Sequence, residues 1–199
     1  MNYPEFFNSV ESIKVVDPLA NVLGAFEDGI YEFTFLDVVK AAGHSCPTVA
    51  GAYLITLEGL KALYPNAPVV RGEVKVKFKE SLEDGVAGVI SNVVSQITGA
   101  TDKSGFKGLA GKFARHSLMD FDAKISSSVR FTRVDNSKSV DVYYDPSSIG
   151  GSPKMQQLMQ KMMGGMANKD EIKEFGALWQ ERVERIMNNI PSVIKVVKN

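Results

Sequence analysis

His44 and Cys46 stand two residues apart in Gly43-His44-Ser45-Cys46-Pro47, and Cys46 is the only cysteine in 199 residues. Imidazole nitrogen and thiolate sulfur both ligate zinc-like metals, and a thiolate is also a nucleophile. Pro47 is placed to open a helix, because the N–H that proline lacks would be unpaired at the first helical position anyway. The pair would then sit at a helix N-terminus, where free amides and the helix dipole favour negative charge. The plainer alternative is a buried cysteine beside a structural histidine. The one other histidine, His116, lies in a polar stretch with Arg115, Ser117 and Asp120. Zinc takes three protein ligands in a typical catalytic site and four in a structural one. A closed structural site is therefore out of reach without carboxylates, while an open site on His44, Cys46 and His116 plus water is available. A protease-like Cys–His pair is less attractive, since around such a turn the imidazole is poorly placed to reach the thiol. Cys-Pro also occurs at thiolate-ligated haem, but a dipeptide does not carry that reading.

A second stretch, Gly105-Phe106-Lys107-Gly108-Leu109-Ala110-Gly111-Lys112, invites a phosphate-loop reading. The spacing excludes it: no glycine stands five residues before Gly111, and Phe113 occupies the Ser/Thr position. Its glycines instead suit a flexible cover over the His44–Cys46 turn, with Lys107 and Lys112 supplying charge to an anionic ligand. The alternative is an exposed loop whose lysines touch nothing.

These residues must be positioned by the elements around them. Residues 4–12 read as a short amphipathic helix, 13–16 as a strand, and Asp17-Pro18 as the start of a helical turn. Residues 30–35 alternate like a half-buried strand, and 36–42 read as a helix capped by Gly43. The helix opened by Pro47 repeats apolar residues to Leu60 and stops before Pro65. A strand with one wet face follows over 69–78, then a nearly uncharged helix over 84–99. Strands are expected over about 122–134 and 139–144, and a methionine-striped helix over 155–166. A long helix over 169–189 precedes a final strand near 193–197. The fold class is α+β, with a mixed sheet of about five to six strands packed on several helices, the C-terminal one long. Residues 1–199 read as a single domain, with a motif region over 36–121 and a strand pair and helices over 122–199.

Lys plus Arg and Asp plus Glu each number 23, so no net charge directs the chain to nucleic acid or an acidic membrane. A lone cysteine excludes an internal disulfide, and no apolar run approaches about 18 residues. With no basic segment at the N-terminus, the chain reads as cytoplasmic. The uncharged helix and the methionine stripe offer more apolar surface than one small core absorbs, so a homodimer is expected.

Gly-His-x-Cys-Pro before a helix, then Ile97-Thr98-Gly99-Ala100-Thr101 and a glycine-rich segment with lysines, resembles the formylmethanofuran dehydrogenase E-subunit-like family from about Leu36 to Phe121. The resemblance implies an α+β core and a divalent metal, typically zinc, near the first motif. It carries over His44, Cys46, Thr98, Gly99 and Thr101. The family's stretches usually read His-Gly-His-x-Cys-Pro-Gly and Thr-Gly-Cys-Thr, so Ala42, Thr48 and Ala100 replace a histidine, a glycine and a cysteine. The zinc-finger module of longer members is absent, since no cysteine follows Cys46. Two functions stay open. One is a metal-binding protein, an enzyme if the site is open, acting on a small anionic substrate lined by Thr98, Gly99, Thr101, Lys107 and Lys112. The other is a non-enzymatic binding or accessory module with a depleted metal site.

Overall fold

Everything packs around the helix that Pro47 opens. The computed structural model describes residues 2–199. After a 3-10 turn at Glu5–Ser9 come β1 (Ile13–Val16), α1 (Pro18–Val22), β2 (Ile30–Phe33), α2 (Phe35–Ala42) and α3 (Pro47–Leu63). β3 (Val69–Val70), β4 (Val74–Phe78), α4 (Ala87–Thr98), β5 (Met119–Asp120), β6 (Val129–Arg133) and β7 (Ser139–Tyr144) follow. The chain then runs through α5 (Pro153–Met163), α6 (Lys169–Asn188), α7 (Ile190–Val193) and β8 (Ile194–Lys198).

α3 is apolar nearly all round, which is the composition of a helix buried on most sides. It packs on α4, α6, β6, β7 and β8. Two of its glycines let the sheet come close: Gly59 lies under the Phe131 ring and Gly51 under Tyr144. A single cluster of buried side chains runs from Phe7 to Ile194.

The strands form two mixed sheets, one of three strands and one of five. The first has the order β2-β1-β3, with β1 antiparallel to β2 and parallel to β3. The second has the order β5-β4-β6-β7-β8, with β4–β5 parallel and the other pairs antiparallel. The split falls inside the stretch expected to be one strand, 69–78. There Gly72 takes φ +85°, a left-handed conformation that a strand cannot contain, and Glu73 N–H closes a turn on Val70 O at 3.2 Å. β3 thus joins one sheet and β4 the other.

Other boundaries move for local reasons. The helix expected over 4–12 shortens to the 3-10 turn, where Phe7 packs edge-on against Phe35 at 5.0 Å between ring centroids. The strand expected from 122 begins only at Val129, because Asp122 has φ +55° and Ser127 is drawn off to Asp141. The methionine helix is α5. Met155 and Leu158 are buried, while Met163 and Met166 are 85% and 73% exposed. Among the described residues, no helix is long and apolar enough to cross a membrane.

Candidate functional site

The His44–Cys46 turn is held from four sides. α2 begins with a reciprocal Thr34–Asp37 capping box and ends at Gly43, whose φ of +75° reverses the chain. His44 is exposed, with Nδ1 3.0 Å from the Ala42 carbonyl. A carbonyl only accepts, so Nδ1 is the donor in this contact, and Nε2 is the ring nitrogen left for a ligand. Cys46 is the N-cap of α3, its Sγ accepting from Val49 N–H at 3.4 Å. From α6, Trp179 Nε1 and Gln180 Nε2 both donate to Ser45 O, at 3.0 and 3.2 Å. From β7, the Tyr144 hydroxyl donates to Pro47 O at 2.6 Å. Burial pushes the Tyr144 phenol up, Arg182 opposes this, and the neighbouring Cys46 adds to it.

His44 also lines a shallow cavity of about 310 Å³ against the outer face of α4, with Ala42, Val89, Asn92 and Gln96. Asn92 borders a second depression of about 180 Å³ that reaches Thr101, Asp102 and Ser104. The outer face of α4 therefore lies between the two motifs.

The second motif ends α4 and is tied into its surroundings. Gly99 is the left-handed cap, with φ +75°. Thr98 is wholly buried, its hydroxyl donating to Val94 O at 2.7 Å and accepting from Ala100 N–H at 3.2 Å. Ala100 is wholly buried in the core. Thr101 donates through both its N–H and its hydroxyl to Arg115 O, each at 2.9 Å. His116 N–H donates to Phe106 O at 3.3 Å, and His116 Nδ1 lies 3.0 Å from Ser117 Oγ. The glycine-rich segment closes on itself through the paired backbones of Leu109 and Lys112. Lys107 and Lys112 are exposed and make no ion pair among the described residues. Thr98, Gly99, Thr101, the glycine-rich segment and His116 thus form one assembly. No hydrogen bond or ion pair among the described residues joins it to His44 or Cys46.

That assembly rests on an ion cluster that periodicity does not reveal. Asp17 caps α1 through Leu19 and Ala20 N–H, accepts from the Tyr31 hydroxyl, and pairs with Arg115 at 2.6 Å and Arg71 at 3.1 Å. Arg71 also donates to Gln96 O and Ile97 O, the free carbonyls at the end of α4. The Arg115 guanidinium lies against Gly72 and Gly99, where any Cβ would collide with it. Asp17 was legible only as a helix cap and Arg115 only as a neighbour of His116. Nor did Trp179, Gln180 or Tyr144 declare themselves as supports of the turn, although Trp179 is the lone tryptophan.

At the turn, His44 and Cys46 supply two donors where a catalytic zinc takes three protein ligands. Among the described residues no group of three or more His, Cys, Asp or Glu side chains is placed to hold a metal ion. The donor set of the chain alone does not fit a complete metal centre.

Fold and turn together define an α+β protein whose lone cysteine caps its central buried helix. The chain belongs to the FmdE family: the family model described as "FmdE, Molybdenum formylmethanofuran dehydrogenase operon" matches residues 41–195. The match covers α3, both motifs and the strands and helices that follow. No curated protein matches the chain.

Proposed function

We propose that this member of the FmdE family is a binding or accessory module whose metal site, at the His44–Cys46 turn, is depleted. The donor set carries this reading. Of the four positions where the resembling motifs bear His or Cys, only His44 and Cys46 keep such a residue, and Ala100 offers a core methyl group where a thiol would stand. Two ligands leave a divalent ion short of the three that a catalytic zinc site uses. Zinc content tests it: the wild type, desalted after expression with zinc, should hold well below one equivalent, and Ala42→His/Ala100→Cys should raise that value. One equivalent in the wild type, lost in Cys46→Ser, would overturn the proposal.

That outcome would favour a second reading, supported by the exposed His44 ring two residues from Cys46. In it, His44 and Cys46 hold zinc in an open site. His116 would complete it from the adjoining assembly, with Thr98, Gly99, Thr101, Lys107 and Lys112 serving a small anionic substrate.

Either reading is of a cytoplasmic homodimer. Val86, which precedes α4, Val89 within it, and Met159, Met163 and Met166 around the end of α5 present apolar side chains outward. Light scattering should give about twice the 21.7 kDa chain mass, and a 21.7 kDa particle at every concentration would remove the dimer.

A further inference from the structure

At the opposite end of α3 from Cys46, a cavity of about 390 Å³ opens between the helix terminus, the β6–β7 hairpin and the end of β8. Its floor is Leu63, Pro65 and Val140. Its charged side chains are Arg133, Lys138 and Lys198, and the terminal carboxylate of Asn199 is the one anion among the lining residues. In a chain with 23 cationic and 23 acidic residues, three cations around one concavity are a local excess.

Internal pairing does not balance it. Arg133 is held by Asp135 through two bonds of 2.9 and 2.5 Å, and its guanidinium lies 4.2 Å above the Tyr64 ring. Lys138 and Lys198 have no ion pair among the described residues. α3 ends here, and its terminal carbonyls carry about half a negative charge; against these and the terminal carboxylate of Asn199, the two unpaired lysines leave the lining net positive. The surrounding donors are fixed: Asn199 N–H donates to Ser139 O at 3.0 Å, and Asn199 Nδ2 to Asp141 at 2.9 Å. Val140 and Lys198 are register partners in the β7–β8 ladder, so Lys198 is set by the sheet.

We propose that this cavity binds a small phosphate-bearing molecule. The Arg133 fork, the usual partner of a planar carboxylate, is already occupied by Asp135. What remains free is two ammonium point charges beside the Ser139 hydroxyl and the Asn66 amide, donors that suit a multiply charged tetrahedral anion. The cavity's size suits a metabolite-sized ligand rather than a polymer. The site is independent of the His44–Cys46 turn and of any metal there.

Isothermal titration with pyrophosphate at low ionic strength tests the proposal. The wild type should bind, and Lys138→Gln/Lys198→Gln should bind about tenfold more weakly or worse, since it removes both free charges. Both lysines are exposed, so the double variant should keep the wild-type circular dichroism spectrum. Lys107→Gln/Lys112→Gln, altered only in the glycine-rich segment, should bind within twofold of wild type. Absence of wild-type binding, or equal binding by the Lys138/Lys198 variant, would overturn the site. Recruitment to phosphatidic acid vesicles without pyrophosphate binding would assign the phosphate to a membrane and overturn the free ligand.

Discussion

Asp17→Asn is expected to destabilise the fold by about 3–5 kcal/mol, the usual cost of removing one partner from a buried ion pair. The amide still caps α1, so the loss isolates the charge. It leaves Arg115, 6% exposed, and half-buried Arg71 facing one another with no anion between them. Among the described residues, Arg115 Nε and Nη1 have no hydrogen-bond partner even in the intact cluster, so the guanidinium has no reserve of contacts. Urea unfolding of the two proteins measures the effect, and a loss under 1 kcal/mol would show that the cluster is solvated. The pH dependence has a definite sign. Burial alone would raise the Asp17 carboxyl, but the Ala20 amide, the Tyr31 hydroxyl and the two arginines hold it below its ordinary value of 3.8. Arg130 holds Asp141 at about 2 against its burial, helped by Ser127 and Asn199. A depressed carboxylate stabilises the fold fully above its unfolded value and loses that contribution as pH falls through its folded one. Stability should therefore be flat above about pH 5 and fall from about pH 4 toward pH 2, and Asp17→Asn should flatten part of that fall.

Two glycine-to-alanine changes, both inside helices, should have opposite signs. Gly176 of α6 has open space where a Cβ would go, so Gly176→Ala should stabilise by up to about 1 kcal/mol through helix propensity. Gly51 of α3 has the same propensity to gain, but its Cβ would fall within the Tyr144 ring. That ring cannot slide away cheaply: its hydroxyl is bonded to Pro47 O, and its backbone is paired with Ile194 in the sheet. Overpacking costs about 1–3 kcal/mol and a lost hydrogen bond about 1 more, so Gly51→Ala should be destabilising by about 2 kcal/mol net. Thermal unfolding of both variants and of Gly51→Ala/Tyr144→Ala decides the matter. If the Tyr144 truncation does not lessen the effect of Gly51→Ala, the collision is not its cause. Because Tyr144 braces the first turn of α3, the same change should alter the reactivity of Cys46 toward thiol reagents.

Local chemistry was the legible part of this chain. Gly43 as a left-handed cap, Pro47 opening α3 and the long α6 all follow from residues within a few positions of one another. Sheet membership was not legible, because a ten-residue apolar alternation carries no mark of the sheet each half will join. Only Gly72 interrupts it, and one glycine inside a strand pattern is as consistent with a bulge as with a crossing. The motifs were visible as strings, but not what their side chains do. Thr98 and Thr101 read as pocket residues; the Thr98 hydroxyl bonds back to Val94 O one turn earlier in α4, and that of Thr101 to Arg115 O, fourteen residues on. The supports of the turn, Tyr144, Trp179 and Gln180, lie about a hundred or more residues from it, beyond the reach of any spacing rule.

The Asp17 cluster bears on kinetics as well as equilibrium. Its contacts close chain segments of 54 and 98 residues, from Asp17 to Arg71 and to Arg115. Closing such long loops costs entropy that few contacts repay until the intervening elements have formed. The cluster is therefore expected to form late in folding, after the transition state. Interactions absent from the transition state set the unfolding rate and leave the folding rate nearly unchanged. Asp17→Asn is thus expected to speed unfolding and leave the folding rate nearly unchanged in stopped-flow measurements, which would make the cluster a determinant of how long a native molecule lasts.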